Sequence, residues 1–141
     1  MPKLSPHDAR RLLAAVPVLR LATVGEDARP HLVPVTFAVH RGSVYTAVDH
    51  KPKSTRDLRR LADIRANPRV ALLADHYEDD WDRLWWVRLR GTARQAHDEE
   101  RDVALDALVA KYAAYRERRP TGAVLVVELT EVRGWSAEAP T

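Results

Sequence analysis

A basic segment in the middle of the chain has the residue types that bind phosphate. Lys51-Pro52-Lys53-Ser54-Thr55-Arg56 places three cations and two hydroxyl groups directly ahead of a helical pattern. A helix N-terminus presents unpaired backbone N–H groups and the positive end of the helix dipole, and both attract an anion. Because three cations at that end repel one another, a bound phosphate would stabilise the segment. The alternative is that Ser54 only caps the helix, with Asp57 completing a capping box, and that the basic side chains are solvated.

Three of the four tryptophans form the second group of candidate site residues. Trp85 and Trp86 are adjacent in a long strand pattern over residues 83–95. Adjacent strand residues point to opposite faces, so we expect one ring in the core and the other at a cavity or an interface. Trp135 lies close to the end of the ordered chain, where a large aromatic side chain often packs on a partner or ligand. Simple packing of both rings of the pair is the alternative.

Other kinds of site lack their sequence signals. The glycine pattern of a P-loop and the GxSxG turn of a hydrolase are absent. There is no cysteine, which excludes disulfides, thiolate metal sites and a cysteine nucleophile. The six histidines show no metal-ligand spacing. An acidic loop over residues 75–82 could attract a cation, although a solvated loop is the simpler interpretation. We therefore assign no metal site and no catalytic residue.

The charge and hydropathy patterns restrict the partners. The net charge is +3 and the pI is about 9.5, which would suit nucleic acid, but the strands mix basic with acidic residues rather than forming a basic face. No uncharged stretch approaches the roughly 18 residues that span a bilayer, and the first residues do not resemble a signal peptide. We expect a cytoplasmic protein with a small-molecule substrate, and neither nucleic acid nor membrane as partner.

The chain reads as one domain, residues 1–141, with alternating groups of strands and helices. Ser5-Pro6 predicts a helix start and Pro17 its end. Strand patterns follow over residues 18–24, 31–39 and 43–48, and we interpret them as an antiparallel meander. Pro34 cannot donate a ladder hydrogen bond, so it predicts an edge strand or a bulge. The rest of the chain alternates in the same way: a helix to residue 66, strands over 69–74 and 83–95, a helix over 98–119 capped by Asp98, and a strand over 123–132. The whole pattern indicates an α+β fold with a small barrel or folded sheet.

Four segments in this order resemble the flavin and deazaflavin split β-barrel family, which includes pyridoxamine 5′-phosphate oxidase-like proteins. The resemblance runs from about Leu12 to Trp135 and is greatest to the actinobacterial subgroup that uses the deazaflavin coenzyme F-420. The segments are Val18–Val24 with Arg29–Val35, then Lys51–Leu58, Asn67–Leu73, and Trp85–Arg88 leading to Gly91-Thr92-Ala93. The resemblance implies a six-stranded, mostly antiparallel split β-barrel with peripheral helices. It also implies a homodimer with two cofactor sites at the interface.

The same resemblance assigns site residues in three groups. The cofactor phosphate would be held by Lys51, Lys53, Ser54, Thr55 and Arg56. The ring system would be lined by residues of the second strand: His31, Val33, Pro34, Val35 and Thr36. The walls would be formed by Trp85, Trp86 and Trp135. Asp57 is assigned to the helix cap because an ionised carboxylate cannot donate a hydrogen bond to phosphate.

The implied activity is hydride transfer from reduced coenzyme F-420 to a conjugated small-molecule acceptor. The alternatives are an FMN-binding protein of the same family, and a cofactor or tetrapyrrole carrier without turnover. The longer anionic tail of F-420 would suit the additional bases Arg59 and Arg60, which favours F-420 over FMN. Residues 133–137 read Arg-Gly-Trp-Ser-Ala, without the pair of an Arg and a His that true pyridoxamine phosphate oxidases carry near the C-terminus, so we do not expect pyridoxine chemistry.

Overall fold

The computed structural model describes residues 3–48 and 55–138, with the side chains of residues 55–58 outside the described part. The helices are α1 Pro6–Ala15, α2 Thr55–Ala66, α3 Asp98–Lys111 and α4 Ala113–Glu117, with a short 3₁₀ helix at Trp81–Arg83. The strands are β1 Leu19–Val24, β2 Pro30–Val35, β3 Ala38–His40, β4 Ser43–Ala47, β5 Arg69–His76, β6 Trp85–Ala96 and β7 Val124–Ser136. No helix within these ranges is long and apolar enough to cross a membrane.

The strands form one antiparallel sheet in the order β2-β1-β5-β6-β7-β4-β3. The predicted α+β class and the split-barrel type of antiparallel sheet are confirmed. The predicted meander of the first three strand segments is wrong, because β2 and β3 lie at opposite ends of the sheet. The chain crosses from one end to the other within residues 36–37, so the single strand expected over residues 31–39 is divided in two. This division gives seven strands in the described ranges instead of six.

The division occurs where a tyrosine hydroxyl replaces a strand partner. Tyr112 Oη accepts a hydrogen bond from the Phe37 backbone N–H at 2.9 Å. The inward alternation nevertheless continues through the break, since Val33, Val35, Phe37 and Val39 all contact the same core cluster. Hydrophobic periodicity therefore predicted which side chains face inward, but it does not reveal that the pairing partner changes at residue 36.

The start of α1 has the predicted capping residue, whereas the start of α3 does not. Ser5 caps α1, its hydroxyl accepting from the Asp8 N–H at 3.1 Å, with Pro6 in the first turn as predicted. In α3 the cap position is His97 rather than Asp98, and no side chain caps that end. The helix expected over residues 98–119 ends at Lys111 because Tyr112 adopts an extended conformation. Its hydroxyl contacts the backbone at residues 17 and 37 instead.

Two further sequence features have clear places in the sheet. Pro34 lies in β2, which pairs only with β1 among the described strands, so the predicted edge position is confirmed. β5 extends through His76, so the expected acidic loop begins two residues later than its composition indicates.

In β6 the register shifts between Arg90 and Gly91. A Cβ at Gly91 would lie 2.2 Å from the Glu128 carbonyl oxygen, so only glycine fits this bulge.

Two hydrophobic clusters meet at β7. The main cluster fills the inside of the sheet and includes Leu125 and Val127, and the second lies under α3 and includes Val124 and Val126. Since successive strand residues point to opposite faces, this four-residue run joins both clusters. All four side chains are fully buried.

Candidate functional site

The phosphate segment ends where α2 begins. The predicted helix start is confirmed, with Thr55 and Arg56 in the first two positions of α2. Lys51, Lys53 and Ser54 lie outside the described residues, as do the side chains of Thr55, Arg56 and Asp57. The role of these residues with a phosphate, and of Asp57 as a cap, stays a prediction.

A cleft of about 260 Å³ separates the edge strand β2 from α2. Two of the sequence-predicted residues line it, His31 and Val33. Arg59 and Arg60, which the sequence suggested for the F-420 tail, line it as well. The structure adds three residues that the sequence did not assign to the site: Thr23, Leu32 and Asp63. The cleft therefore adjoins the first turns of the helix that follows the basic segment.

A histidine and an aspartate approach each other inside this cleft. His31 Nε2 lies 3.8 Å from Asp63 Oδ2. Both atoms are buried, and neither has a hydrogen-bond partner among the described residues. The Asp63 residue is only 8% exposed, whereas the side chain of His31 is 31% exposed. The pair thus combines a buried carboxylate with an imidazole that can still be reached from the cleft.

A glycine packs against the back of this carboxylate. A Cβ at Gly25 would lie 2.2 Å from Asp63 Oδ1, which is far inside van der Waals contact. The turn between β1 and β2 can approach α2 this closely only because residue 25 has no side chain. Asp63 is therefore held between the turn and His31. An aspartate in the second half of an arginine-rich helix gives no periodic signal of such burial.

The mouth of the cleft carries a second charged pair. The Arg59 guanidinium donates to Asp27 Oδ2 at 2.8 Å. Asp27 also accepts the Arg29 backbone N–H at 3.0 Å, and this bond is the main cause that lowers the pKa of the Asp27 carboxyl, with Arg59 contributing. Asp27 therefore offsets part of the charge of Arg59, and the mouth is less basic than the sequence indicates.

The five predicted residues of the second strand do not form one lining. His31 and Val33 reach the cleft, while Val35 is buried against the main core. Pro34 points to the opposite, outer face of the sheet, because strand residues alternate. Thr36 lies beyond β2, and its hydroxyl is 2.6 Å from the Tyr115 hydroxyl. The structure thus brings two of the five together.

The adjacent tryptophans point to opposite faces, as predicted. Trp85 packs against the main core. Trp86 lies on the outer face directly opposite Trp135 of β7, with the Arg88 guanidinium 5.7 Å from the centre of its ring. Trp135 is not a chain-end aromatic, since it is half-buried within β7 and bridges to Lys3. Whether these rings contact a cofactor stays a prediction.

The outer face of the sheet combines apolar and basic side chains. One register row crosses five strands and consists of Pro34, Arg20, Leu73, Arg88 and Arg133. Leu32 and Leu73 are exposed on this face. Glu131 contacts the guanidinium groups of the neighbouring arginines and offsets part of their charge.

Comparison with known proteins identifies the family. Residues 5–136 match the family described as pyridoxamine 5′-phosphate oxidase. No curated protein matches the chain.

Solved structures share the fold at low sequence identity. A conserved hypothetical protein from Mycobacterium tuberculosis is 20% identical with a TM-score of 0.73, over 98% of this chain and 90% of that one. An FAD-binding protein from Mycobacterium smegmatis is 23% identical with a TM-score of 0.65, over 96% and 97% of the two chains. A heme-binding protein from the same organism is 22% identical with a TM-score of 0.75, over 97% of this chain and 57% of that one. The match along nearly all of the chain, together with the split-barrel sheet, shows that this protein belongs to the pyridoxamine 5′-phosphate oxidase family.

Proposed function

We propose that the protein is an oxidoreductase that transfers a hydride from reduced coenzyme F-420 to a conjugated small-molecule acceptor. The observation that carries this proposal is the start of α2 at Thr55, within the basic segment. The first N–H groups of a helix have no partner within the helix, so they can bind a phosphate there. Membership of the family supports a cofactor as the source of that phosphate.

The residues of this chain would bind and orient the cofactor rather than react with it. Lys51, Lys53, Ser54, Thr55 and Arg56 would hold the phosphate. Val33 of the edge strand would lie along the ring on the cleft side of the sheet. Pro34, Trp86 and Trp135 face outward, so they would form the wall of a site shared with a second copy of the chain. When bound, the reduced deazaflavin supplies a hydride. The buried, unpartnered polar atoms in the neighbouring cleft are consistent with a ligand there, because buried polar groups in proteins are normally hydrogen-bonded.

The choice of F-420 over FMN depends on the part of the cofactor beyond its phosphate. Arg59 and Arg60 lie about one turn into α2 and line the cleft. A long anionic tail could reach them, whereas FMN ends at its phosphate. Because Asp27 offsets part of the charge of Arg59, the preference for the longer tail is weaker than the sequence alone indicates.

We also propose that the working unit is a homodimer. The outer face exposes Leu32 and Leu73, and it also carries the half-buried Trp86. A second copy covering this face would remove that apolar area from water, which favours association. The row of arginines on the same face would then lie close to the shared site.

Fluorescence titration with F-420 and with FMN tests the proposed function. We expect Lys53→Ala to weaken cofactor binding by about ten- to a hundredfold, since a lost charge-assisted hydrogen bond costs about 1.5–3 kcal/mol. Arg10→Ala is the control, because Arg10 is an exposed base on α1. Tight FMN binding without F-420 binding would contradict the choice of cofactor. Unchanged affinity in the Lys53 variant would show that the phosphate lies elsewhere.

A tetrapyrrole carrier is the second candidate. It is favoured by the likeness of the fold to that of a heme-binding protein from Mycobacterium smegmatis. This candidate predicts heme binding without hydride transfer to any acceptor in a turnover screen. Binding of F-420 with turnover of a quinone-like acceptor would exclude it.

A further inference from the structure

The His31–Asp63 pair has no part in holding a phosphate, yet its placement is costly. Buried polar atoms in proteins are normally hydrogen-bonded, and leaving one without a partner is unfavourable. Asp63 Oδ2 and His31 Nε2 are both in that state, 3.8 Å apart. Hydrogen bonds of catalytic groups are often long in ligand-free structures and shorten when substrate binds. The distance therefore fits a pair that closes around a ligand.

The surroundings keep the carboxylate close to the imidazole. The turn at Gly25 packs against Asp63 Oδ1 from the other side, so little space remains there for the carboxylate. His31 stands near the start of the edge strand β2, with its ring partly exposed to the cleft. Asp63 thus lies beside Nε2 of the ring, at a distance that a small shift of either side chain would close to a hydrogen bond.

We propose that His31, oriented by Asp63, donates the proton that completes reduction of the acceptor. This role rests on the proposed function. Two-electron reduction of a conjugated double bond requires a hydride, which the reduced cofactor supplies with its electron pair, and a proton. An N–H bond of the His31 imidazolium breaks, and an O–H or C–H bond forms on the acceptor. The electron pair of the broken bond stays on the imidazole, which then takes a proton from solvent. His31 is the catalytic residue and Asp63 a positioning residue.

Among the residues whose side chains the structure describes, four charged groups lie around the imidazole and its cleft. Asp63 and Arg60 belong to α2, as does Arg59, and Asp27 lies in the turn between β1 and β2. Arg59 is paired with Asp27 at 2.8 Å, so their effects on His31 partly cancel. Asp63 is then the carboxylate that lies next to the ring of His31. A neighbouring carboxylate that orients the ring suits a histidine that donates a proton.

The tautomer of His31 tests the pair without any turnover. The hydrogen bond that one ring nitrogen makes determines which nitrogen carries the proton. In ¹⁵N spectra of the cofactor-free protein at pH 8, we expect the proton of the neutral ring on the nitrogen that faces Asp63. In Asp63→Asn the amide can donate to that nitrogen, so the proton should move to the other one. His31→Gln assigns the signals. The same tautomer in the wild-type protein and in Asp63→Asn would overturn the proposal.

The pH profile of turnover tests the chemistry. With saturating reduced cofactor and a quinone-like acceptor, the wild-type kcat should fall with rising pH, because only the protonated donor can complete the reduction. His31→Gln should lower kcat by about a hundredfold or more and flatten this profile. Asp63→Asn should lower kcat with little change in KM. His40→Gln on β3 is the control histidine and should match the wild-type protein. Urea midpoints show that each variant is folded.

The outcomes separate this role from the function itself. Active wild-type protein with unchanged kcat and pH profile in His31→Gln overturns the proton role and leaves the function standing. A changed cofactor affinity with unchanged kcat makes His31 a binding residue only, which also overturns the proposal. Wild-type protein that binds the cofactor but turns over no acceptor overturns both.

Discussion

Removing the hydroxyl of Tyr112 is the sharpest test of how the two ends of the sheet are joined. Tyr112 Oη accepts the Phe37 N–H at 2.9 Å. It lies 2.8 Å from the Pro17 carbonyl oxygen and 3.0 Å from that of Phe37. Since the hydroxyl has one proton, it donates to one of these carbonyls at a time. Tyr112→Phe therefore removes one accepted and one donated hydrogen bond at the crossing between β2 and β3.

The expected cost follows from the burial of Phe37, which is 0% exposed. An unsatisfied buried N–H costs about 1–3 kcal/mol, and the lost donated bond about 0.5–1.5 kcal/mol. We expect Tyr112→Phe to lower the free energy of unfolding by about 2–4 kcal/mol. With an m value of about 1.5 kcal/mol per molar urea, the unfolding midpoint falls by roughly 1.5–2.5 M.

Urea unfolding at pH 7 measures this difference. Burial raises the pKa of Tyr112, so its hydroxyl keeps its proton at that pH. Tyr115→Phe is the matched control, because the Tyr115 hydroxyl faces the partly buried side chain of Thr36 rather than a buried backbone group. We expect a smaller loss there, about 0.5–1.5 kcal/mol. Equal midpoints for Tyr112→Phe and the wild-type protein would refute the importance of this hydroxyl.

Two further substitutions test the bulge and a half-buried charge. Gly91→Ala should cost about 1–3 kcal/mol because its Cβ meets the Glu128 carbonyl, whereas Gly42→Ala, with open space and a φ of +77°, should cost only about 1 kcal/mol in urea melts. Burial lowers the pKa of Lys111 to about 8, so stability from this group is lost as pH falls from 10.5 to about 8. Lys111→Met should therefore raise the free energy of unfolding at pH 7 by about 1 kcal/mol. This value allows for solvent screening and for the attraction of the ammonium to the Phe37 ring, whose centre is 3.5 Å away. Thermal melts at pH 7 and 10 should show that gain shrinking at the higher pH, and an equal gain at both would contradict this reasoning.

Local signals predicted much of the fold. The Ser5 cap with Pro6 located the start of α1, and Pro34 located the edge strand. Alternation over residues 31–39 identified the inward side chains. Such local patterns do not reveal which strand a segment pairs with. The crossing at residues 36–37 and the break at Tyr112 depend on contacts between segments about 75 residues apart, which no local window contains.

Only part of the candidate site could be predicted, because some of its residues meet through contacts between distant segments. Composition and order located the basic segment and the helix after it, and His31 was found through the family resemblance. Asp63 was missed because its burial depends on Gly25, a residue with no local relation to it. The tryptophan pair was correctly placed on two faces, since that result comes from strand geometry alone.

The position of β7 has a consequence for how the protein is made. β7 is the last strand along the chain, yet it lies between β6 and β4 and joins both hydrophobic clusters. It also hydrogen-bonds the Leu4 N–H through the Gly134 carbonyl. Until β7 leaves the ribosome, β6 and β4 have open edges, and open edges are sites of aggregation.

The interval is long on the scale of folding. About 40 residues separate the end of β6 from the end of β7, and translation at roughly 5–20 residues per second takes several seconds to add them. During that time the strands already synthesised can pair only in two separate groups, β2-β1-β5-β6 and β4-β3. The barrel therefore closes after its last strand has been translated, and a nascent chain that stalls within α3 is a target for chaperones rather than a partly working protein.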